Sequence, residues 1–237
     1  MNIVITGASS GIGYSIYKKL LSNENQIIII SRTSPLEIEK NVKWIKADLS
    51  TQRGVGLASN VLKDIKVDVL INNAGSGEVV ELEELTYSTA QREFALNVIA
   101  PMMLTKIVAK KMKENNFGRI INITSISGVK ATPYLFSYSA SKAALINFTR
   151  NVAEYYRDYN ILANSISPSG VNTEKSIKIR KEISYIRGLN DMDYQNEMIK
   201  IMGRETLISP EAIADFIDFL IKNDAINGQN INISGAM

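Results

Sequence analysis

The chain holds no cysteine and no histidine among its 237 residues. Without cysteine there is no disulfide, and no thiolate to act as nucleophile or metal ligand. Without histidine neither a Ser-His-Asp triad nor the usual imidazole zinc site can be built, and no metal site is expected. Proton transfer near neutral pH is left to a carboxylate, a lysine or a perturbed tyrosine. Charge of one sign is also scarce. The 27 Lys and Arg against 24 Asp and Glu leave a net charge of +3, too little to argue for a nucleic-acid or membrane partner. The longest unbroken aliphatic run, Ile27 to Ile30, is far too short to cross a bilayer. Strand-like sequence begins at Asn2-Ile3-Val4 with no signal-peptide pattern before it, so a cytoplasmic protein is expected.

What is present points to one sizeable core. Hydrophobic residues make up 45% and charged residues 22%, ordinary for a globular protein. The length suits one large α/β domain over 1–237, or at most two small ones. Strand-like stretches at 2–6, 26–30, 42–47, 67–71, 119–124, 161–167 and 229–233 alternate with helical patterns at 12–21, 51–64, 89–115, 138–159 and 210–221. This alternation predicts a parallel sheet with helices on both faces. Residues 174–204 are polar and charged, with helical stretches broken at Gly188 and Gly203. They are expected to form a mobile segment that covers the substrate.

Three motifs carry chemistry. The first strand runs into Gly7-Ala-Ser-Ser-Gly11-Ile-Gly13 and then a helix, the order of a dinucleotide-binding turn. Glycines let the backbone approach a pyrophosphate, and the helix N-terminus offers unpaired N–H groups. The second strand ends in Ser31-Arg32 where NAD-binding proteins commonly carry an acid. A guanidinium there suits a 2′-phosphate, hence NADP(H), although a solvated surface arginine reads the same way. Tyr138 and Lys142 lie four residues apart in a helical pattern, so phenol and ammonium can meet on one face. The cation would favour the phenolate and lower its pKa toward the range useful for proton transfer. Taken alone, the same spacing arises on exposed helix faces by chance. Pro101, lacking an N–H, leaves the carbonyl of Asn97 without its usual helical partner. That carbonyl could take a water or a lysine, or mark a simple kink.

With Thr6-Gly7-Ala-Ser-Ser-Gly11-Ile-Gly13, Asp48, Asn72-Asn-Ala-Gly75, Asn97, Ser125 and Tyr138-x-x-x-Lys142 in this order, the chain resembles the classical short-chain dehydrogenase/reductase family over essentially its whole length. The resemblance implies a doubly wound Rossmann-type sheet of about seven strands, with the cofactor across the carboxyl ends of the strands. It implies Tyr138 as general acid or base and Lys142 as the residue that lowers the Tyr138 pKa and holds the ribose. Ser125 would bind the substrate oxygen, and Asn97 a water through its main-chain carbonyl. Gly7, Ser9, Ser10, Gly11, Ile12 and Gly13 would receive the pyrophosphate, and Ser31 and Arg32 the adenosine ribose. Asp48 and Leu49 would meet the adenine, Asn73, Ala74 and Gly75 would support the cofactor from the fourth strand, and Val171 and Thr173 would meet the nicotinamide. The activity so implied is hydride transfer between NADP(H), with NAD possible, and a small carbonyl or secondary alcohol, by a homodimer or homotetramer.

Two departures from the family pattern stand out. Ser10 occupies a position that is often basic in NADP(H)-using members, and Pro168-Ser-Gly170 replaces the usual Pro-Gly. The cluster Lys175, Lys178, Arg180 and Lys181 reads either as a magnet for an acidic substrate or as a solvated helix face. Tyr134, Leu135 and Phe136 are expected to line the pocket. The rival to an enzyme is a regulator that senses NADP(H) without turnover. The Ser125, Tyr138 and Lys142 set argues against it, because a sensor needs none of the three.

Overall fold

A computed structural model describes residues 1–236; Met237, the last residue of the expected domain, lies outside the described residues. Seven strands form one sheet: β1 (Asn2–Thr6), β2 (Gln26–Ser31), β3 (Val42–Lys46), β4 (Val69–Asn72), β5 (Gly118–Ile123), β6 (Ile161–Pro168) and β7 (Asn230–Ile233). Every pairing is parallel and the order is β3-β2-β1-β4-β5-β6-β7. A parallel sheet covered on both faces needs apolar side chains pointing both ways. β1 supplies them: Ile3 and Ile5 enter one core while Val4 enters the other.

The first core is closed by α1 (Gly11–Leu20) and α8 (Pro210–Lys222). Ile16 and Tyr17 of α1 and Ile213 and Ile217 of α8 are fully buried there. At their rim Lys19 pairs with Asp215 at 2.6 Å. The second core lies under α2 (Gln52–Leu62), α4 (Ala100–Glu114) and α5 (Phe136–Tyr155). The expected strands and helices are all present, with ends displaced by one or two residues in most cases.

One element differs in kind. The helix expected at 89–115 is three pieces: α3 (Tyr87–Phe94), a π turn at Ala95–Ile99, and α4. Ala100 N–H donates to the Ala95 carbonyl five residues back, which is the widened pattern of a π turn. It falls just ahead of Pro101, whose ring cannot donate to Asn97. Residues 174–204 hold α6 (Glu174–Ile186) and α7 (Asp191–Ile201). Gly188 and Gly203 sit at the breaks with φ of 65° and 61°.

Strand order turns back between β1 and β4, and the residues that follow both strands line a cleft. This is where ligands settle on an open α/β sheet.

Candidate active site

The glycine turn after β1 is braced from β4. Asn73 Nδ2 donates to the Thr6 and Gly7 carbonyls, both at 2.9 Å. The Thr6 hydroxyl accepts from the N–H groups of Asn73 and Ala74. Gly13 packs so closely that a Cβ there would collide with the Gly7 carbonyl and the Asn73 side chain. The turn leads into α1 with Ser10 making no side-chain cap and no acid in the first turn. The positive end of the helix is therefore left for a ligand. Cradle and helix end both fit a pyrophosphate.

A cleft of about 740 Å³ continues from this cradle and lies within the size range of small-molecule sites. Its lining includes Gly7, Ser9, Ser10, Gly11, Ile12 and Gly13 at the glycine-turn end. Ser31, Arg32, Asp48, Leu49, Asn73, Ala74 and Gly75 follow. Ser125, Tyr138, Lys142, Val171 and Thr173 complete the set expected from the sequence. Asn97 stands apart: it is fully buried and does not line the cleft. Its side chain instead pins Ser76, accepting from the Ser76 N–H at 3.0 Å and donating to the Ser76 carbonyl at 2.8 Å. A third bond runs from Asn97 Nδ2 to the Ser141 hydroxyl at 2.9 Å.

The Tyr138 ring lies against Gly77, where a Cβ would stand 2.8 Å from the ring carbons. Burial pushes the phenol pKa up, the neighbouring Ser125 hydroxyl pulls it down, and the Glu93 carboxylate adds a further upward push. The net direction is upward, so the sequence expectation that Lys142 holds the phenol low is corrected. The residue as a whole is only partly buried, because the ring edge opens on the cleft, but its surroundings are dry enough for desolvation to win. Lys142 is buried, with its ammonium 5.7 Å from the Tyr138 ring centre. It donates to the Ile123 carbonyl at 2.8 Å, and burial, helped by the Lys175 charge, brings its pKa down to about 7.

Two residues outside the expected catalytic and cofactor set join them: Lys175, named in the sequence only within the basic cluster, and Glu93. Lys175, from the first turn of α6, places its ammonium 5.6 Å from the centre of the same ring and donates to the Gly75 carbonyl at 2.9 Å. The residue is exposed, yet desolvation beside the cleft brings its pKa down to about 8, against an opposing pull from Glu93. Glu93 is almost fully buried. Its carboxylate accepts from the Glu78 N–H and the Ser137 hydroxyl, both at 2.6 Å. It thereby ties α3 to the start of the helix that bears Tyr138. A lone Glu in an amphipathic stretch gives no sequence signal for that role.

Other expected positions are only partly available. Ser31 is buried, and its hydroxyl donates to the Thr33 carbonyl and accepts from the Trp44 indole. Asp48 accepts from the Ser50 N–H and hydroxyl. Burial would raise its pKa, yet the Ser50 bonds and the Arg32 charge prevail and lower it. Asn72 turns into the sheet and bonds Asn122. Of Tyr134, Leu135 and Phe136, only Leu135 lines the cleft. Tyr134 is held at φ 70°, unfavourable for a bulky residue, with its carbonyl accepting from Val80. Among the described residues no cluster of acidic side chains could hold a metal ion.

Comparison with known proteins agrees with this geometry. A family model described as short chain dehydrogenase matches residues 1–184. The uncharacterized oxidoreductase YvrD of Bacillus subtilis (strain 168) is 30% identical over 99% of this chain and 95% of its own length. The 3-oxoacyl-[acyl-carrier-protein] reductase FabG of Rickettsia bellii (strain RML369-C) is 30% identical with the same coverage. Among solved structures, 4-hydroxyisoleucine dehydrogenase complexed with NADH superposes with a TM-score of 0.86 at 30% identity, covering 99% of this chain and 97% of that one. With its seven-stranded parallel sheet, braced glycine turn and Tyr138–Lys142 pair, the chain belongs to the short-chain dehydrogenase/reductase family of NAD(P)-dependent oxidoreductases.

Proposed function

We propose that the protein interconverts a carbonyl and a secondary alcohol using NADP(H), with Tyr138 as the proton-transfer residue. The observation that carries this reading is that Ser125, Tyr138 and Lys142 open on one cleft with the glycine cradle. A phenol whose pKa is raised is protonated at neutral pH and suited to give its proton to a carbonyl oxygen. In the oxidation direction it would take that proton back. The Ser125 hydroxyl would donate to the same oxygen and stabilise negative charge developing on it. Lys142 would hold ribose hydroxyls with its ammonium. The Asn97 carbonyl, which Pro101 cannot serve, would hold a water connecting Lys142 to solvent. The nucleotide, when bound, supplies or accepts the hydride.

For the cofactor, Gly7, Gly11 and Gly13 would admit the pyrophosphate, and Asp48 and Leu49 would flank the adenine. Arg32, exposed at the end of β2 with no acid in that position, would pair with a 2′-phosphate. Residues 174–204 would cover the substrate, since α6 and α7 supply one wall of the cleft. By name, one relative acts on a 3-oxoacyl chain and another on 4-hydroxyisoleucine. Both names contain the ketone or alcohol that this chemistry needs.

The test is to follow NADPH absorbance over a panel of ketones and oxo acids with wild type and Tyr138→Phe. Turnover by wild type that falls by at least ~100-fold in the variant, with NADPH binding retained, supports the enzyme. Absence of turnover on the whole panel, with equal NADPH binding by both proteins, supports the non-catalytic sensor instead.

A further inference from the structure

The basic cluster on α6 divides between two faces of the helix. Lys178, Lys181, Glu182 and Tyr185 follow i, i+3, i+4, i+7 spacing and lie together on the outer surface, where Lys178 stands 3.7 Å from Glu182. Ser176, Ile179, Arg180, Ile183 and Arg187 follow the same periodicity and line the cleft. Helical geometry permits only one of these faces to look inward. The inward one carries Arg180.

Arg180 is 4% exposed. Its Nη1 donates to the Ser176 hydroxyl at 3.1 Å and its Nη2 to the Gln195 side-chain oxygen at 3.2 Å. Both partners are neutral. Its Nε is buried and has no hydrogen-bond partner. Among the described residues no carboxylate stands within 4.0 Å of the guanidinium. Asp191, at the start of α7, acts on Arg180 electrostatically and keeps a buried carboxylate oxygen without a hydrogen-bond partner, but forms no ion pair with it. Glu197 is held by Arg187 at 3.2 Å. A buried guanidinium with an unpartnered donor and no directly paired carboxylate is costly to maintain unless something else occupies that donor. Ile179, Ile183, Met198 and Ile201 share the cleft with it, and the charges of Arg187 and Glu197 on the same wall are paired with each other.

We infer that Arg180 is the recognition residue for a carboxylate carried by the substrate itself, so that the protein acts on an oxo acid or hydroxy acid. This deepens the proposed carbonyl–alcohol chemistry and rests on it. The free Nε–H and the adjacent Nη–H form the side-on fork that matches the two oxygens of a carboxylate. The same helix carries Lys175 to the Tyr138 ring five residues earlier. That is roughly 7.5 Å along the axis at about 1.5 Å per residue. One end of an acid could thus be held at Arg180 while its carbonyl lies at the phenol. An acyl group on a carrier would present no carboxylate here.

The experiment compares a series of short oxo acids with their methyl esters as substrates, and the matching unreactive acids and amides as ligands in thermal shift with NADP present. Wild type is expected to favour acid over ester by about 10–100-fold in kcat/KM. Arg180→Gln should collapse that ratio through KM, Arg180→Lys should restore part of it, and the outward-facing Lys178→Gln should leave it intact. Asp191→Asn decides against a merely structural pairing. If Arg180 serves acids, removing this neighbouring charge keeps or improves the acid's KM. A loss matching that of Arg180→Gln, for acid and ester alike, would overturn the inference. An acid-to-ester ratio near one in wild type that turns over ketones would also overturn it while leaving the oxidoreductase reading in place. Stabilisation of Tyr138→Phe by acids but not amides, lost with Arg180→Gln in the same background, supports the subsite without any turnover.

Discussion

Arg32 leaves β2 fully outside the sheet, exposed, with its charge acting on Asp48. In the proposed complex it is the side chain that separates a 2′-phosphate from a 2′-hydroxyl, since Ser10 offers no second charge. Arg32→Asp replaces the attraction with repulsion beside an existing carboxylate. NADPH affinity is expected to fall by about 10–100-fold, the scale of a charge-assisted bond, while NADH affinity holds or rises. Titration of both nucleotides by fluorescence measures this, and equal affinity of the unmodified protein for the two would sink the assignment. At this scale the sequence was informative where a motif fixes the backbone. Gly7, Gly13 and Asn73 sit together because their order along the chain demands it. It named Lys175 and Arg180 only within a basic cluster that read equally as a solvated face, and was silent on Glu93, because their roles depend on which face of a polar helix turns inward. It misjudged the Tyr138 pKa because charge pairs are visible in a sequence and desolvation is not.

Among elements, the π turn between α3 and α4 matters most to the site. It lodges the Asn97 side chain where it makes three hydrogen bonds, two of them to the main chain of Ser76. One residue further on, Gly77 lies against the Tyr138 ring. Asn97→Ala would leave the Ser76 N–H and carbonyl without their partner and loosen this wall. The expected cost is about 2–3 kcal/mol, or roughly 5–10 °C in Tm for a chain of this size. The fall in kcat should exceed the rise in KM, because the loop positions the phenol. Calorimetry with steady-state rates tests this; an unchanged Tm would show that the loop holds without Asn97. The strands were readable because their aliphatic runs sit between turn signals, and a parallel sheet covered on both faces favours such runs. The π turn was not, because Ala95-Leu-Asn-Val-Ile99 has ordinary helical periodicity, and only Pro101 hinted at a lost bond.

For the molecule as a whole, two cations held in one cleft link stability to pH. The Lys142 ammonium falls from 10.5 to about 7 and that of Lys175 from 10.5 to about 8. The folded values lie below the unfolded ones. Between about pH 7 and 10.5 the unfolded chain therefore binds more protons than the folded chain, and stability rises with pH across that window. Below pH 7 both states carry the charge, and the full penalty of burying it remains. Lys142, 3% exposed, carries most of the effect, with a slope approaching about 1 kcal/mol per pH unit. The contribution of Lys175 is smaller, because the residue is exposed and its charge is screened by solvent. The Tyr138 phenol works the other way only above about pH 10, where the unfolded phenol ionises and the buried one does not. The composition makes this measurable: with no histidine and no cysteine, neither side chain titrates in the same window. Urea denaturation at half-unit steps from pH 6.5 to 9.5 should show wild type gaining stability steadily. Lys142→Met, which puts an uncharged chain of similar length in the same place, should flatten the curve and be the more stable protein at pH 6.5. A wild-type curve that is level or falls over this range would mean that the ammonium of residue 142 stays solvated, and the dry cleft argued for Tyr138 would fall with it.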